Sequence, residues 1–368
     1  MYSQNDLDDA VAAGAMSAES AAALRNFIET QRSAPAVDEE QFRLITGFND
    51  IFVSIASIIL LVAVAWIGQS IGQSLGTSVD VDGPSFLAPA AVGVTAWCLA
   101  LFFTAKRRMA LPSILLLLAF VGAVFATVAF VGALAVGEPP KEQEGLYVGV
   151  IAAIAGAVAA GAAWLHWKRF RVPITVAAGA AAVAAIVVGL LIAVLGDPEN
   201  YKNAVLGVVL LLGVGVFLFA MRWDSSDPGR LTRRSDVAFW LHLLAAPMIV
   251  HPVFTLLGLN DGNATIGEGL VVVLLYILMG LAALAIDRRA LLVSALAYVL
   301  FALQELFKQF GAIELNVALT ALVIGSSLLL LSAFWHQARE AVVRPLPDGL
   351  RAKLPLLGDS RTVSQPAA

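Results

Sequence analysis

Residues 86–108 read FLAPAAVGVTAWCLALFFTAKRR, and residues 109–136 continue MALPSILLLLAFVGAVFATVAFVGALAV. Neither 86–105 nor 109–136 carries a charge, and three cations, Lys106, Arg107 and Arg108, stand between them. A helix rises about 1.5 Å per residue, so roughly 20 residues cross a hydrocarbon core of about 30 Å. Both blocks reach that length. Neither alternates apolar and polar residues as a membrane β-strand of about ten residues does. Two uncharged blocks joined by a short basic turn read as an out-and-back pair of membrane helices.

The rest of the chain repeats the pattern. Apolar blocks lie at about 51–72, 86–105, 109–136, 145–165, 172–195, 203–221, 237–258, 269–286, 290–307 and 315–335. The ninth is the shortest in uncharged length, running only from Ala290 to Gln304. Of the 368 residues 60% are hydrophobic and 14% charged, and the mean hydropathy is +0.85. Soluble domains carry about a quarter charged residues, so this chain has too few to coat a water-facing surface. Lipid forces each spanning segment to satisfy its own backbone, which helices do. The expectation is an all-α polytopic transmembrane helix bundle of about ten spans over 48–338. A cytosolic helical hairpin and linker over 1–47 precede it, and a cytosolic, disordered tail over 339–368 follows.

The connectors orient the spans. With alternating crossings, all of the 23 Lys and Arg residues except Lys141, Lys202 and Lys308 fall on one side. The opposite loops are short and polar or acidic: 138–144 (EPPKEQE), 196–200 (GDPEN) and 260–263 (NDGN). Positive residues are retained in the cytoplasm during insertion, which places both termini there, in a bacterial inner membrane. Arg43, Lys106 and Arg169 are spaced 63 residues apart, as are Arg108, Arg171 and Arg234. That recurrence fits five repeated helical hairpins; two spans of ordinary length with short loops give the same period without common ancestry.

In the N-terminal segment, Leu7 and Val11 share a helical face and Gly14 interrupts it. Ser17 caps a second helix with Leu24, Phe27 and Ile28 as its apolar stripe. Residues 8–24, DDAVAAGAMSAESAAAL, followed by a first span at Ile51, resemble bacterial predicted multi-pass membrane proteins of unknown function that begin with a short cytosolic helical hairpin. The resemblance covers under a tenth of the chain and implies this layout, with no functional residue to carry over. The ten-span count is also similar to that of the drug/metabolite transporter superfamily, with its two inverted five-span halves, but no motif accompanies the count.

No Walker loop, GxGxxG after a strand, HExxH, CxxC or GxSxG occurs, so no cofactor, catalytic residue or metal ligand is assigned and an enzyme is not expected. Cys98 is the single cysteine and reads as a small hydrophobe. Polar residues within spans carry more weight, since they are costly in lipid and usually face a bundle interior. The seventh block is the richest, with Trp240, His242, Pro247, His251 and Pro252. Nine residues at about 100° each put His242 and His251 on opposite faces. In the ninth block Gln304 and Glu305 lie about as many residues from the basic side as His251 does, with Tyr298 nearby. A Glu305–His251 pair is a candidate proton-accepting site; alternatively Glu305 sits at the outer boundary and pairs with Lys308. His166 and His336, beside Trp167 and Trp335 at span ends, read as interfacial anchors. Asp50 and Asp236 read as helix N-terminal charges. The glycine- and alanine-rich fourth and fifth blocks read as close-packing helices inside the bundle.

Two functions follow from this reading. One is transport of a small solute or proton along a path formed by His251, Glu305, Gln304, His242 and Tyr298. The other is a non-catalytic membrane scaffold or assembly factor whose cytosolic N-terminus recruits a protein partner. Neither involves nucleic acid.

Overall fold

A computed structural model of the chain describes residues 11, 13–14, 16–24, 48–79, 83–196, 200–227, 230, 232–258, 266–289, 292, 296, 299–300, 316–351 and 354–355. The chain divides into two units, 1–42 with 357–368, and 43–356. In the first, Gly14 takes φ +70°, and Ser17 caps a helical stretch over 18–24 by accepting from the Ser20 amide at 3.1 Å. Both features agree with the sequence reading. Leu7, Phe27 and Ile28 lie outside the described residues.

Among its described residues the second unit consists of helices joined by turns and loops, with one isolated bridge between Ser78 and Ser85. Its helices are α1 (Phe48–Ser74), α2 (Leu87–Phe103), α3 (Ala110–Val136), α4 (Glu144–Phe170), α5 (Ile174–Leu195), α6 (Lys202–Ser225), α7 (Arg233–Leu256), α8 (Ile266–Ile286), α9 (Asn316–Ala333), α10 (Trp335–Val343) and α11 (Asp348–Arg351). Six of them, α1 and α3 to α7, are long and apolar enough to cross a membrane. The α9–α10 pair, bent by 76°, makes a seventh if it is one span, while α2 and Leu270–Ile286 are shorter apolar helices. Phe48, Trp66, Val194, Leu211 and Leu329 each leave more than two thirds of their area exposed. Side chains of that kind in such number belong against lipid. The protein is an integral, multi-pass helical membrane protein.

Helices adjacent in sequence pack as neighbours, and three clusters containing aromatic residues bring the basic connectors to one end of the unit. Phe103 and Phe170 both pack on the Leu61–Ala96–Leu116 cluster. Trp167 and Trp223 both pack on Ala177, Ala220 and Leu241. Met221, Ile286 and Trp335 share the next cluster. The turns after α2, α4, α6 and α8 therefore lie together, as alternating crossings require. Two of them close alike, with Arg108 and Arg171 in left-handed backbone at φ 54° and 56°. Arg234, the third position of that 63-residue series, is already helical in α7.

The small residues of α4 and α5 form a two-helix seam rather than the bundle interior expected for them. A Cβ on Gly149 would stand 2.5 Å from the Gly189 carbonyl oxygen, and one on Gly189 would stand 2.7 Å from the Ala153 amide nitrogen. The outer faces, Ile154 and Val158 on α4 and Val187 and Leu190 on α5, are exposed. Glycine and alanine let two backbones touch, and that contact needs only one face of each helix. The central helix is α7, half of whose apolar window is buried against 17–33% for the other five long spans. It is also the least hydropathic of the six, so its burial keeps its polar groups from lipid.

Pro247 and Pro252 lie inside α7, and the helix continues through both. Pro252 deprives the Met248 carbonyl of its helical donor. That carbonyl lies against Gly213 of α6, where a Cβ would meet its oxygen at 2.9 Å. From the ninth apolar block, residues 292, 296, 299 and 300 are helical. Leu292 packs with Ala246 and Ala283, and Val299 packs with Val250, Val272 and Ile324. Within the segment expected as a disordered tail, residues 339–343 and 348–351 are helical, and 352–353 and 356–368 lie outside the described residues. Arg339 is buried in α10, α11 adds a further turn, and Leu354 packs on the cluster holding Trp335. The Pro345 and Pro347 punctuation in the sequence hid this docking, because the segment is held by tertiary contacts rather than by its own propensity.

Gly149→Ala is expected to lower stability in detergent by about 1–3 kcal/mol through overpacking of the seam. Gly161→Ala on the open side of α4, where a Cβ meets nothing within 4 Å, should leave the melting temperature unchanged or raise it slightly.

Candidate site at the basic end

The turns after α6 and α8 carry acids among their cations, and the fold turns those acids inward. Asp224 is the next-to-last residue of α6 and is 2% exposed. Its Oδ1 accepts from Arg288 Nη2 at 2.5 Å, and its Oδ2 accepts from Arg288 Nε at 3.3 Å. The same Oδ2 lies 3.0 Å from Nε2 of His242, in α7. Arg288 also donates to the Ser235 carbonyl and hydroxyl oxygens, each at 3.1 Å. Arg288 and Ser235 are buried, and His242 is fully buried. One carboxylate thus ties the end of α6 to α7 and to the turn after α8. A buried carboxylate that accepts several charge-assisted bonds is compensated for its desolvation.

Asp224 is an acceptor only, so the imidazole proton sits on Nε2 and Nδ1 is left as the second ring position. His242 Nδ1 is buried with no hydrogen-bond partner. The Phe217 ring stands edge-on to the imidazole at 5.2 Å. Phe217 and Tyr276 pack against the same cluster of Ala246 and Ala283, and Tyr276 also packs on Val250, Val272 and Ile324. The Tyr276 hydroxyl and the Thr320 hydroxyl are likewise buried without partners. Thr320 stands one helical turn before Ile324 in α9.

A second set of bonds lies beside the first. Asp287 takes φ +55°, a conformation that aspartate tolerates better than most residues, and it separates its own side chain from that of Arg288. Asp287 Oδ2 accepts from Arg230 Nη1 at 2.9 Å, and Oδ1 accepts from the Trp335 indole at 2.7 Å. Arg230 Nη2 also caps the end of α8 through the carbonyls of Ile286 at 3.0 Å and Asp287 at 2.9 Å. Arg339 approaches Asp287 at 3.8 Å and donates to the Pro355 carbonyl at 2.6 Å. The α6–α7 turn is closed by Asp227, whose Oδ2 accepts from the Thr232 amide at 2.9 Å and hydroxyl at 2.6 Å. Burial favours the neutral form of Asp287, but Arg230, the Trp335 indole and Arg339 overcome it and hold the carboxyl below the usual carboxylate range.

Of the residues singled out from sequence, only His242 belongs to this cluster. His251 is exposed on α7. Gln304, Glu305 and Tyr298 lie outside the described residues. Among the described residues no group of three or more His, Cys, Asp or Glu is placed to hold a metal ion. Two supposed interfacial anchors are buried instead. His166 bonds Thr175 at 3.3 Å and stands within 4.5–6.1 Å of the Phe170, Phe120 and Trp97 rings. Trp335 is spent on Asp287. Asp224, Arg288, Ser235, Asp287, Arg230 and Arg339 escaped the sequence reading because Lys and Arg in connectors were counted only as orientation signals. Their one legible mark was acids, Asp224, Asp227 and Asp287, standing in connectors otherwise selected for positive charge.

Asp224→Asn should strand Arg288 in a buried position and destabilise the protein by about 3–5 kcal/mol. Combining it with Arg288→Met should cost clearly less than the sum of the two single changes; additive melting data would refute the pairing. For Asp287 the folded-state value is lowered, so its contribution is complete above the unfolded carboxylate value of about 4 and is lost as pH falls through the folded value. Asp287→Asn should therefore melt earlier at pH 7, by about 1–3 kcal/mol. Its loss of stability below pH 4 should be smaller than that of the wild type.

Comparison with family models, with curated proteins and with solved structures finds no match for this chain, and the reading of the cluster rests on its own geometry.

Proposed function

We propose that the chain crosses a bacterial inner membrane ten times, with both termini in the cytoplasm, and transports a small solute or proton through α6 to α9. The observation that carries this reading is a set of buried polar atoms without protein partners, His242 Nδ1 on α7, the Tyr276 hydroxyl on α8 and the Thr320 hydroxyl on α9, the first of them on the ring that bonds the buried Asp224–Arg288 ion pair. Buried polar groups are ordinarily satisfied by protein or by water, and ionised groups among spanning helices commonly mark ion or substrate paths. Counted from the basic ends of α8 and α9, Tyr276 is ten residues in and Thr320 thirteen, about 15 and 20 Å of helix. His242 is nine residues from the start of α7, so on the same count all three atoms lie inside the spans. His242 is the proton-exchanging member of the set, since Asp224 holds one ring nitrogen and leaves the other to accept. The proline-interrupted α7 supplies the wall.

The test is flux in proteoliposomes loaded with a pH-reporting dye, under an imposed pH gradient and with a panel of small solutes outside. Wild type should exceed empty liposomes, and His242→Gln and Tyr276→Phe should each cut the flux at least about tenfold, the usual scale for losing a proton-transfer group. His251→Ala and Glu305→Gln, assayed alongside, test the path expected from sequence. Wild-type flux equal to that of empty liposomes across the panel would dispose of the transport reading.

A further inference from the structure

A groove of about 350 Å³ runs between α2 and α3, away from the Asp224 cluster, and is lined by Ala90, Val94, Trp97 and Cys98 of α2 with Phe120 and Val124 of α3 among others. Its wall is apolar, and the one nearby hydroxyl, on Thr127, is spent on the Ala123 carbonyl at 2.7 Å. The floor is aromatic: the Trp97 ring stands 5.0 Å from Phe120 and 5.2 Å from Phe170. Val94 and Cys98 are exposed along its open side, which faces the bilayer.

Cations stand one helical turn beyond the lining of this groove. Ala90, Val94 and Cys98 are spaced four apart on α2, and the next position in that row is Phe102. Lys106 Nζ and the Arg107 guanidinium lie over the Phe102 ring, 6.0 and 5.6 Å from its centroid. Lys106, Arg107 and Arg108 are consecutive and make no ion pair among the described residues. They differ in this from Arg230, Arg288 and Arg339, each of which has an aspartate. From Phe102 to Ala90 the row covers about 18 Å of helix, the reach of one acyl chain.

We infer that the α2–α3 groove binds one anionic glycerophospholipid of the leaflet faced by the basic connectors, its acyl chain along Ala90, Val94 and Cys98 and its phosphate on Lys106 and Arg107. Charge complementarity selects the ligand: the apolar wall accepts any acyl chain, but the unpaired cations favour a headgroup with net negative charge. The inference needs the basic connectors to share one membrane face and does not depend on transport.

The test is native mass spectrometry of the full chain in detergent, titrated with phosphatidylglycerol and with phosphatidylcholine of the same acyl chains. Wild type should retain one phosphatidylglycerol at least about 30-fold more tightly than phosphatidylcholine. Lys106→Ala with Arg107→Ala should weaken phosphatidylglycerol by about 30-fold, as for the loss of two headgroup cations, and leave phosphatidylcholine unchanged. Val94→Trp, filling the groove, should weaken both lipids; Ala90→Phe replaces it if that variant melts early. Bound phosphatidylglycerol should also slow alkylation of Cys98 by a membrane-permeant thiol reagent. Equal wild-type affinity for the two lipids, an unaffected double cation variant, or a dimer displaced by Val94→Trp in place of lipid would each overturn the inference.

Discussion

The Asp224 carboxylate is the point on which the basic end of the protein depends. It lies at the close of α6, yet its three bonds reach a histidine within α7 and an arginine beyond the end of α8. A charge in that position would be expelled to water without such partners, because desolvating a carboxylate costs several kcal/mol even after relaxation. The partners arrive only if three helix ends meet, so the ion pair and the packing of α6, α7 and α8 require one another. Arg288 extends the tie to Ser235 in the first turn of α7, which sets the angle at which α7 enters the bundle. Asp287 does the same work one residue earlier, bringing in Arg230 and Trp335 and with them the bent C-terminal helix.

This arrangement explains why α7 is central although its composition is the least apolar of the long helices. In lipid no hydrophobic drive separates core from surface, and burial goes to whatever is expensive to expose. His242, Ser235 and two prolines make α7 that helix. The strongly apolar α1, α3, α5 and α6 leave most of their length to lipid at no penalty. Small residues decide which pairs come closest, as at Gly149 against Gly189 and at Gly213 against Met248, but they do not decide which helix lies at the centre.

The two unusual features of the protein sit on different helix sets. The Asp224 cluster and the unpartnered Tyr276 and Thr320 hydroxyls belong to α6–α9, where polar groups meet one another. The groove belongs to α2–α3, where cations have no acids to meet and aromatic rings make the floor. Arg230, Arg288 and Arg339 of the first set are paired with aspartates of the chain itself; Lys106 and Arg107 of the second are left to whatever anion the membrane supplies. The same basic connectors therefore carry two kinds of charge, and only their surroundings tell them apart.

Helix type, the approximate limits of most spans and the sharing of one end by the basic connectors were legible in the chain, because uncharged length and the placement of Lys and Arg are local properties that lipid reads directly. That α4 and α5 pack closely was legible too, from their glycine and alanine content, but not that they pack against each other. Tertiary structure alone decided that Arg288 turns inward while Arg107 does not, that His166 and Trp335 are buried, that α4 and α5 form a seam at the side, and that the segment after Arg344 docks on Trp335. Each of these depends on which helix ends come together. That is set by pairwise geometry among residues far apart in sequence, and no local pattern records it.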